Sequence, residues 1–559
     1  MIRTYYSDRV VLVTGGTGFV GSALIAKILS DLGEEVRRIY VLIRPRRRHD
    51  GGQIAPAERL EQLFGTSLFA RLRSDAERWA RLRAKVVPVA IDERRTDLGL
   101  TDEDRLRLLA EVDTMFNSAA TVVFDEPLDI SVRANVGGPQ ALLELAQSSR
   151  RRVDFVHVST AYVNGQRSGR IDDEELPTDS DMRQIMDAVS GGGFDPEAEV
   201  AACRAFCADI REEASSEAFT RDLKRDILRQ YPRSGGRKMT RKRLEGLVAD
   251  RRDKWIARRL VDEGMRRGKA RGWTDVYTYT KAMGEQLLTL RRGDVPLVIV
   301  RPSIIESSLS DPEPGWITGL KVMDPLLAAY GRGLIPDFPA RPDVVIDVVP
   351  VDLVVNGCLA AATQSDAGRV QVFYIATGDE NPVKIGEMFD SVRSHYQRSP
   401  MMDMGGGPPK LPDWTYPSLR TFRLVFHLKH LYPIRVREWL FNNVPGLKAS
   451  PRQKRLLRSM RVRLQRVLYY IDIYSPYTHL DCQFKTGRTR TLFESLPADE
   501  RETFSLDVTR IDWKQYIEDI HLPGMRRNLL RDEFAAEAVL PEAPQEPGIE
   551  EARLQAEDE

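Results

Sequence analysis

Near its start the chain runs from an apolar stretch, Val10–Val13, through Thr14-Gly15-Gly16-Thr17-Gly18-Phe19-Val20-Gly21 and into an amphipathic segment beginning near Ser22. The glycines at 15, 18 and 21 give a GxxGxxG spacing. In such a turn the first glycine permits the sharp bend, the second lets backbone approach a pyrophosphate, and the third allows close packing of helix on sheet. The helix that follows would present unpaired N–H groups and a positive dipole end to phosphate. With a strand before it and a helix after it, the segment predicts a dinucleotide site built from Gly15, Thr17, Gly18, Phe19, Val20 and Gly21. It commits the chain to an α/β fold.

The rest of the first half agrees. Apolar runs VVLVTG, IYVLIR, KVVPVAI, TMFNSAA and FVHVST alternate with amphipathic stretches, and PLVIVRP follows near residue 300. Buried strands separated by helices predict a Rossmann doubly wound parallel sheet. The second strand ends in Arg44, with Arg46, Arg47 and Arg48 close behind. An acidic residue there would grip the ribose 2′-hydroxyl of NAD, whereas arginine pairs with a 2′-phosphate. Arg44 and Arg48 therefore favour NADPH. Asp92 follows the third strand, where it would hydrogen-bond the adenine. At the end of the fourth, Asn117-Ser118-Ala119-Ala120 are small enough to let the cofactor lie against the backbone at Ala119.

At 559 residues the chain exceeds one ordinary domain. We expect a Rossmann reductase domain over residues 1–377 with a helical, basic insertion at about 166–272. A second, mainly α-helical domain is expected over 378–532, after a linker-like stretch at 402–415, and an acidic, disordered tail over 533–559. The insertion carries glycine clusters at 191–193 and 234–236 before its basic runs RKMTRKR, RRDKWIARR and MRRGKARGW. Lys and Arg (83) almost balance Asp and Glu (82), so nothing points to a nucleic-acid partner. The four cysteines, 203, 207, 358 and 482, show neither a disulfide framework nor metal-ligand spacing, which implies no metal and a reducing, cytoplasmic setting. The N-terminus runs straight toward the first strand, so no signal peptide is expected. No apolar stretch is long enough to span a bilayer.

Tyr277 and Lys281, in VYTYTKA, are four apart and share one face of a predicted helix. A free phenol titrates at about 10, and a nearby ammonium stabilises the phenolate, making the tyrosine a usable acid. Tyr279 is only two residues from Lys281 and cannot share that face. The strand FVHVST ends in Ser159 and Thr160, either of whose hydroxyls would polarise a substrate carbonyl.

These residues resemble those of an extended short-chain dehydrogenase/reductase and, more narrowly, of the bacterial-type alcohol-forming fatty acyl-CoA reductases. The narrower resemblance lies in TGGTGFVGSALIAKIL, NSAATVVFDEPLDISVRANVGG, VHVSTAYVNG, GWTDVYTYTKAMGEQLL, VRPSIIESSLSDPEPGWITG and VIDVVPVDLVVN, spanning about residues 8–375, with a weaker match in FESLPADERETFSLDVTRIDWKQYIEDIHLPGMRRNLL. It implies Thr160 as the hydroxyl, Tyr277 as the acid, Lys281 as the phenol-tuning and ribose-binding cation, and Pro302, Ser303 and Ile304 beside the nicotinamide. Two positions depart from the family pattern. Ile91 stands where glycine is usual before Asp92, and Asn117 where histidine is commoner.

The implied reaction is NADPH-dependent reduction of a long-chain fatty acyl-CoA through a fatty aldehyde to a primary alcohol. The basic insertion (about 221–271) and the C-terminal domain are then expected to form the acyl-CoA entrance, with core packing or peripheral membrane contact as further roles for the C-terminal helices. A carrier-protein thioester reductase, a fatty aldehyde reductase, a nucleotide-sugar epimerase and a non-catalytic NADPH-binding sensor are the alternatives.

Overall fold

The computed structural model describes residues 1–47, 52–187, 193–230, 239–320, 323–335, 337–401, 407–411, 413–444, 447 and 449–529. Arg48, the glycine cluster at 234–236, most of the cluster at 191–193, much of the 402–415 stretch and the 533–559 tail lie outside them.

Seven parallel strands form the central sheet: β1 (Val10–Thr14), β2 (Arg38–Ile43), β3 (Val86–Ala90), β4 (Thr114–Asn117), β5 (Asp154–Val158), β6 (Leu297–Pro302) and β7 (Gln371–Ile375). Their spatial order is β7-β6-β5-β4-β1-β2-β3, a doubly wound Rossmann arrangement extended by one edge strand. Six of the seven coincide with the apolar runs, because strands covered on both faces need apolar residues throughout. The order reverses between β1 and β4, which opens the crevice where such sheets bind their ligands.

Apolar layers cover both faces of the sheet. One contains Leu24, Ile25 and Ile28 of α1 (Phe19–Asp31), and the other Leu142, Leu145 and Leu288. The insertion is largely helical, with α2 (Pro196–Ser215), α3 (Glu217–Gln230) and α4 (Arg241–Ala270). Cys203, Cys207, Ile210 and Leu260 from it join Trp273, Val276, Tyr279 and Met283 in a third core, behind helix α5 (Val276–Arg291). All four cysteines are free and buried.

The C-terminal region is mainly helical: α6 (Leu419–Phe426), a π turn (His427–Leu431), α7 (Tyr432–Asn443), α8 (Pro451–Tyr474) and shorter pieces to Leu529. Its Phe422, Val467, Ile471, Phe504 and Leu522 share the apolar layer that contains α1. The region is thus packed onto the Rossmann sheet rather than tethered beside it. Polar joints complete the union. A short helix, Ile2–Tyr6, precedes β1, and its first N–H groups donate to the buried carboxylate of Glu500. His521 bridges Ser307 (3.1 Å) and Asp324 (3.1 Å). No helix among the described residues is long and apolar enough to cross a membrane.

Candidate active site

The glycine turn has little room for side chains. Gly15 has φ +68°, and a Cβ on it would lie 2.8 Å from the backbone of Ser118 and Ala119. A Cβ on Gly21 would lie 2.3 Å from the Gly15 carbonyl oxygen. The first position therefore brings β1 against the end of β4, and the third closes the turn onto its own helix. Helix α1 begins at Phe19, three residues before the expected start, with Gly18 as its N-cap. Ser22 N–H donates to the Gly18 carbonyl at 3.0 Å, so Phe19, Val20 and Gly21 are the first-turn residues whose N–H groups have no intrahelical acceptor. This cradle suits a pyrophosphate.

At the end of β2, Arg44 pairs with Glu93. Arg59, on the helix Pro56–Phe64, donates to the Arg44 carbonyl (2.6 Å) and to Thr17 Oγ1 (2.9 Å). Burial, with the neighbouring charges of Arg44 and Arg46, pulls the Arg59 guanidinium below its ordinary value. Three guanidiniums thus crowd the position where a 2′-phosphate would lie. Arg59 had no motif to mark it. Asp92 follows β3, and it has a partner of its own. Both its oxygens are clasped by Arg94 (2.9 and 2.8 Å), which draws its pKa down to about 2, so an adenine would have to share that carboxylate.

At the end of β4, Ala119 N–H donates to Thr14 Oγ1 (3.2 Å), and Thr14 Oγ1 donates to Asn117 Oδ1 (2.8 Å). Asn117 Nδ2 lies 3.0 Å from His157 Nδ1 on β5, and His157 Nε2 lies 3.3 Å from Lys281 Nζ. A buried polar line therefore runs beneath the crevice from the glycine turn to α5. Past the end of β6, Ser303 N–H donates to the Ile375 carbonyl (3.0 Å) and Ile304 N–H to that of Asp347 (3.1 Å), fixing the Pro302-Ser303-Ile304 segment at the same edge.

Thr160 stands beside Tyr277, and its side chain eases ionisation of the phenol. Thr160 Oγ1 also accepts from Tyr162 N–H at 3.3 Å, whereas Ser159 Oγ is buried with no hydrogen bond among the described residues. Of the two hydroxyls left open by the strand end, Thr160 is the one beside the tyrosine.

Lys281 is buried, and its Nζ donates to the Val158 carbonyl at 2.7 Å. The electrostatics differ from the expected phenol tuning. Burial raises the Tyr277 phenol above its usual range, and it lowers Lys281 to about 8. With its ammonium turned toward Val158 and His157, Lys281 leaves the Tyr277 hydroxyl to Thr160.

Asp275 caps α5, accepting from Thr278 N–H at 2.8 Å. Its buried carboxyl, raised to about 6 by desolvation, receives the hydroxyl of Tyr477 from the C-terminal region. Phe124, after β4, packs against Tyr277 (centroids 5.7 Å), Tyr474 (5.6 Å) and Tyr477 (5.3 Å). Tyr469 donates to neighbouring Asp125. An aromatic wall from the C-terminal region thus stands over the Thr160–Tyr277 pair, with exposed Val122 and Val123 at its edge.

Much of the insertion's positive charge is internally paired. Arg241 meets Glu245, Lys254 meets Asp250, and Arg267 and Arg271 converge on Glu199. Arg252 donates to Thr220 at 2.7 Å. Glu199 also receives the Tyr279 hydroxyl (2.6 Å), so Tyr279 faces the insertion, away from the crevice.

Comparison with known proteins bears on this geometry. Two family models, each described as "Male sterility protein", match residues 13–358 and 447–532. The chain is 31% identical over 541 residues to "Fatty acyl-CoA reductase 2, chloroplastic" of Arabidopsis thaliana, covering 95% of this chain and 80% of that one. It is 30% identical to "Fatty acyl-CoA reductase 1" of Arabidopsis thaliana (94% and 98% covered) and 27% identical to "Alcohol-forming fatty acyl-CoA reductase" of Simmondsia chinensis (95% and 99%). Among solved structures, the terminal R domain from the myxalamid PKS-NRPS biosynthetic pathway matches with TM-score 0.51 and 16% identity over 95% of this chain and 92% of that one, a likeness of fold. A Rossmann sheet carrying the glycine turn, joined to a helical C-terminal region that closes over its crevice, is here the framework of an oxidoreductase, and the chain belongs to the fatty acyl-CoA reductase family.

Proposed function

We propose that the protein reduces long-chain fatty acyl-CoA to the primary alcohol through a fatty aldehyde, at one site and with NADPH. The observation that carries this reading is the juxtaposition of Thr160 and Tyr277 at the carboxyl end of the sheet, beside the crevice that the glycine turn opens. The names and coverage of the relatives support the acyl-CoA substrate. Arg44, Arg46 and Arg59 support NADPH, since three crowded cations are relieved by a phosphate.

NADPH, when bound, supplies the hydride. Phe19, Val20 and Gly21 N–H groups would hold its pyrophosphate, Lys281 its ribose, and Pro302, Ser303 and Ile304 would flank its nicotinamide. Thr160 hydrogen-bonds the thioester carbonyl and polarises it, and Tyr277 donates its proton to the oxygen as negative charge develops there. The resulting hemithioacetal loses CoA as the thiol, and its C–S bond is replaced by the aldehyde C=O. Tyr277, reprotonated, gives a second proton when the aldehyde is reduced to the alcohol. Each reduction consumes one hydride and one proton.

The aromatic wall of Phe124, Tyr474 and Tyr477 shelters the first carbons of the chain from water, and the insertion's cations meet the CoA phosphates. Incubation with NADPH and palmitoyl-CoA, with products identified by mass spectrometry, should yield hexadecanol and free CoA. Turnover of a carrier-protein thioester but not of the CoA ester would reassign the substrate.

A further inference from the structure

Most large apolar side chains of this protein are inside it, and the exceptions are concentrated. Of the twelve exposed large hydrophobic residues among those described, six fall between residues 424 and 456. Leu424 (62% exposed), Leu428 (57%) and Tyr432 (61%) are spaced four apart along the continuous helical run of α6, the π turn and α7, and Trp439 (60%) follows two turns later. The opposite side of the same run buries Phe422, Phe426, Leu431 and Ile434. The run is therefore apolar on two sides, and only the inner side has a use in the fold.

Exposed Arg420, Lys429, Arg435 and Arg437 lie on the same run, and exposed Arg452, Lys454 and Arg455 precede Leu456 at the start of α8. Residues 417–474 carry thirteen Lys or Arg against two acids, Glu438 and Asp472, in a chain whose net charge is +1. Such a bias repels a second copy of the same face. Aliphatic and aromatic side chains set among cations match the boundary between anionic headgroups and acyl chains, where the cations meet phosphate and the apolar groups enter hydrocarbon. The α6–α7 run also lies in the interval 359–446 that neither family model matches, so this outer face belongs to what the family descriptions leave open.

We propose that the outer face of α6 and α7, with the first turns of α8, docks the enzyme onto an anionic phospholipid bilayer. Helix α8 then connects the two environments. Leu456 stands at the membrane-facing end and Tyr474 stands over Tyr277 through Phe124, about 27 Å further along the helix. The benefit to catalysis rests on the proposed lipid substrate and product, whereas the docking itself does not.

The test is sedimentation of the full-length protein with vesicles of phosphatidylcholine alone or with about 30% phosphatidylglycerol, at low and high salt. We expect about tenfold tighter binding to the anionic vesicles, weakened by salt. Both Leu428→Ser/Trp439→Ala and Arg435→Glu/Arg437→Glu should lose about tenfold of that binding. Turnover of a short, water-soluble aldehyde should stay within about twofold, showing that the variants are folded. Equal binding to both vesicle types, or undiminished binding by both variants, would overturn the proposal. So would a parent dimer that both variants convert to monomer while vesicle binding persists, because the face would then join two copies. Vesicle binding is read without turnover, so an error in the assigned substrate leaves this result intact.

Discussion

Lys281 Nζ lies 3.3 Å from His157 Nε2, and both groups are buried beneath the crevice. The proximity penalises charge on the imidazole. Burial and the neighbouring Lys281 hold the imidazole well below its ordinary value, so His157 is neutral at physiological pH, while burial lowers the lysine to about 8. With Asn117 on its other nitrogen, His157 is placed to fix where the ammonium points. His157→Ala should lower kcat by about tenfold, with KM for acyl-CoA changed less than kcat, and should shift the pH–rate profile. An unchanged profile would reduce His157 to packing.

The depressed Lys281 also predicts a stability signature. Between about 8 and 10.5 the unfolded chain holds a proton that the folded one lacks, so this residue makes the free enzyme more stable as pH rises through that window. Below pH 8 the charged, buried ammonium exacts its full cost. Lys281→Met should therefore be inactive, and its Tm relative to the parent should be higher at pH 7 than at pH 10. Thermal melts of the two proteins at both pH values check the sign.

Cofactor choice should follow the arginine cluster. We predict a kcat/KM preference of about tenfold or more for NADPH over NADH, because each charge-assisted phosphate contact is worth about 1.5–3 kcal/mol. Arg59→Ala and Arg44→Asp should each erode it, chiefly through KM for NADPH. Equal kcat/KM values for the two cofactors in the parent enzyme would contradict this reading.

The joint between Tyr477 and Asp275 links the C-terminal region to the start of α5. Tyr477→Phe leaves a buried carboxyl without one partner and should cost about 1–3 kcal/mol in denaturant unfolding. If the joint also sets the position of Tyr277, kcat falls in the same variant while NADPH affinity holds. Steady-state kinetics beside an NADPH titration separate the two effects.

The insertion's cations offer another test. Neutralising Arg241, Lys242, Arg251 and Arg252 together should raise KM for acyl-CoA, more so at low salt, and leave KM for a free aldehyde nearly constant. Equal effects on both substrates would assign these residues to the packing of α3 on α4, as the Arg252–Thr220 contact would then suggest.

What was legible in the sequence is what local chemistry controls. Buried parallel strands read as continuous apolar runs, and Gly15 and Gly21 mark places where no Cβ fits. The start of α1 was read three residues late because Phe19 and Val20 carry no capping signal. Arg59, His157, Tyr474 and Tyr477 went unread as site residues because their partners are distant in sequence: 42 residues separate Arg59 from Thr17, 124 separate His157 from Lys281, and 202 separate Tyr477 from Asp275. The pKa shifts of Tyr277 and Lys281 were not legible for a related reason. Helical spacing places two side chains on one face but says nothing of burial, which dominates the shift of each.

The most direct test of the account is the Tyr277→Phe enzyme, assayed separately with palmitoyl-CoA and with hexadecanal while NADPH binding is followed by fluorescence. One acid serving both reductions predicts that both rates fall together, by about 10²–10⁴-fold, with NADPH affinity preserved. A variant that loses thioester reduction yet reduces the aldehyde at the parent rate would require a second site and contradict the single-site account.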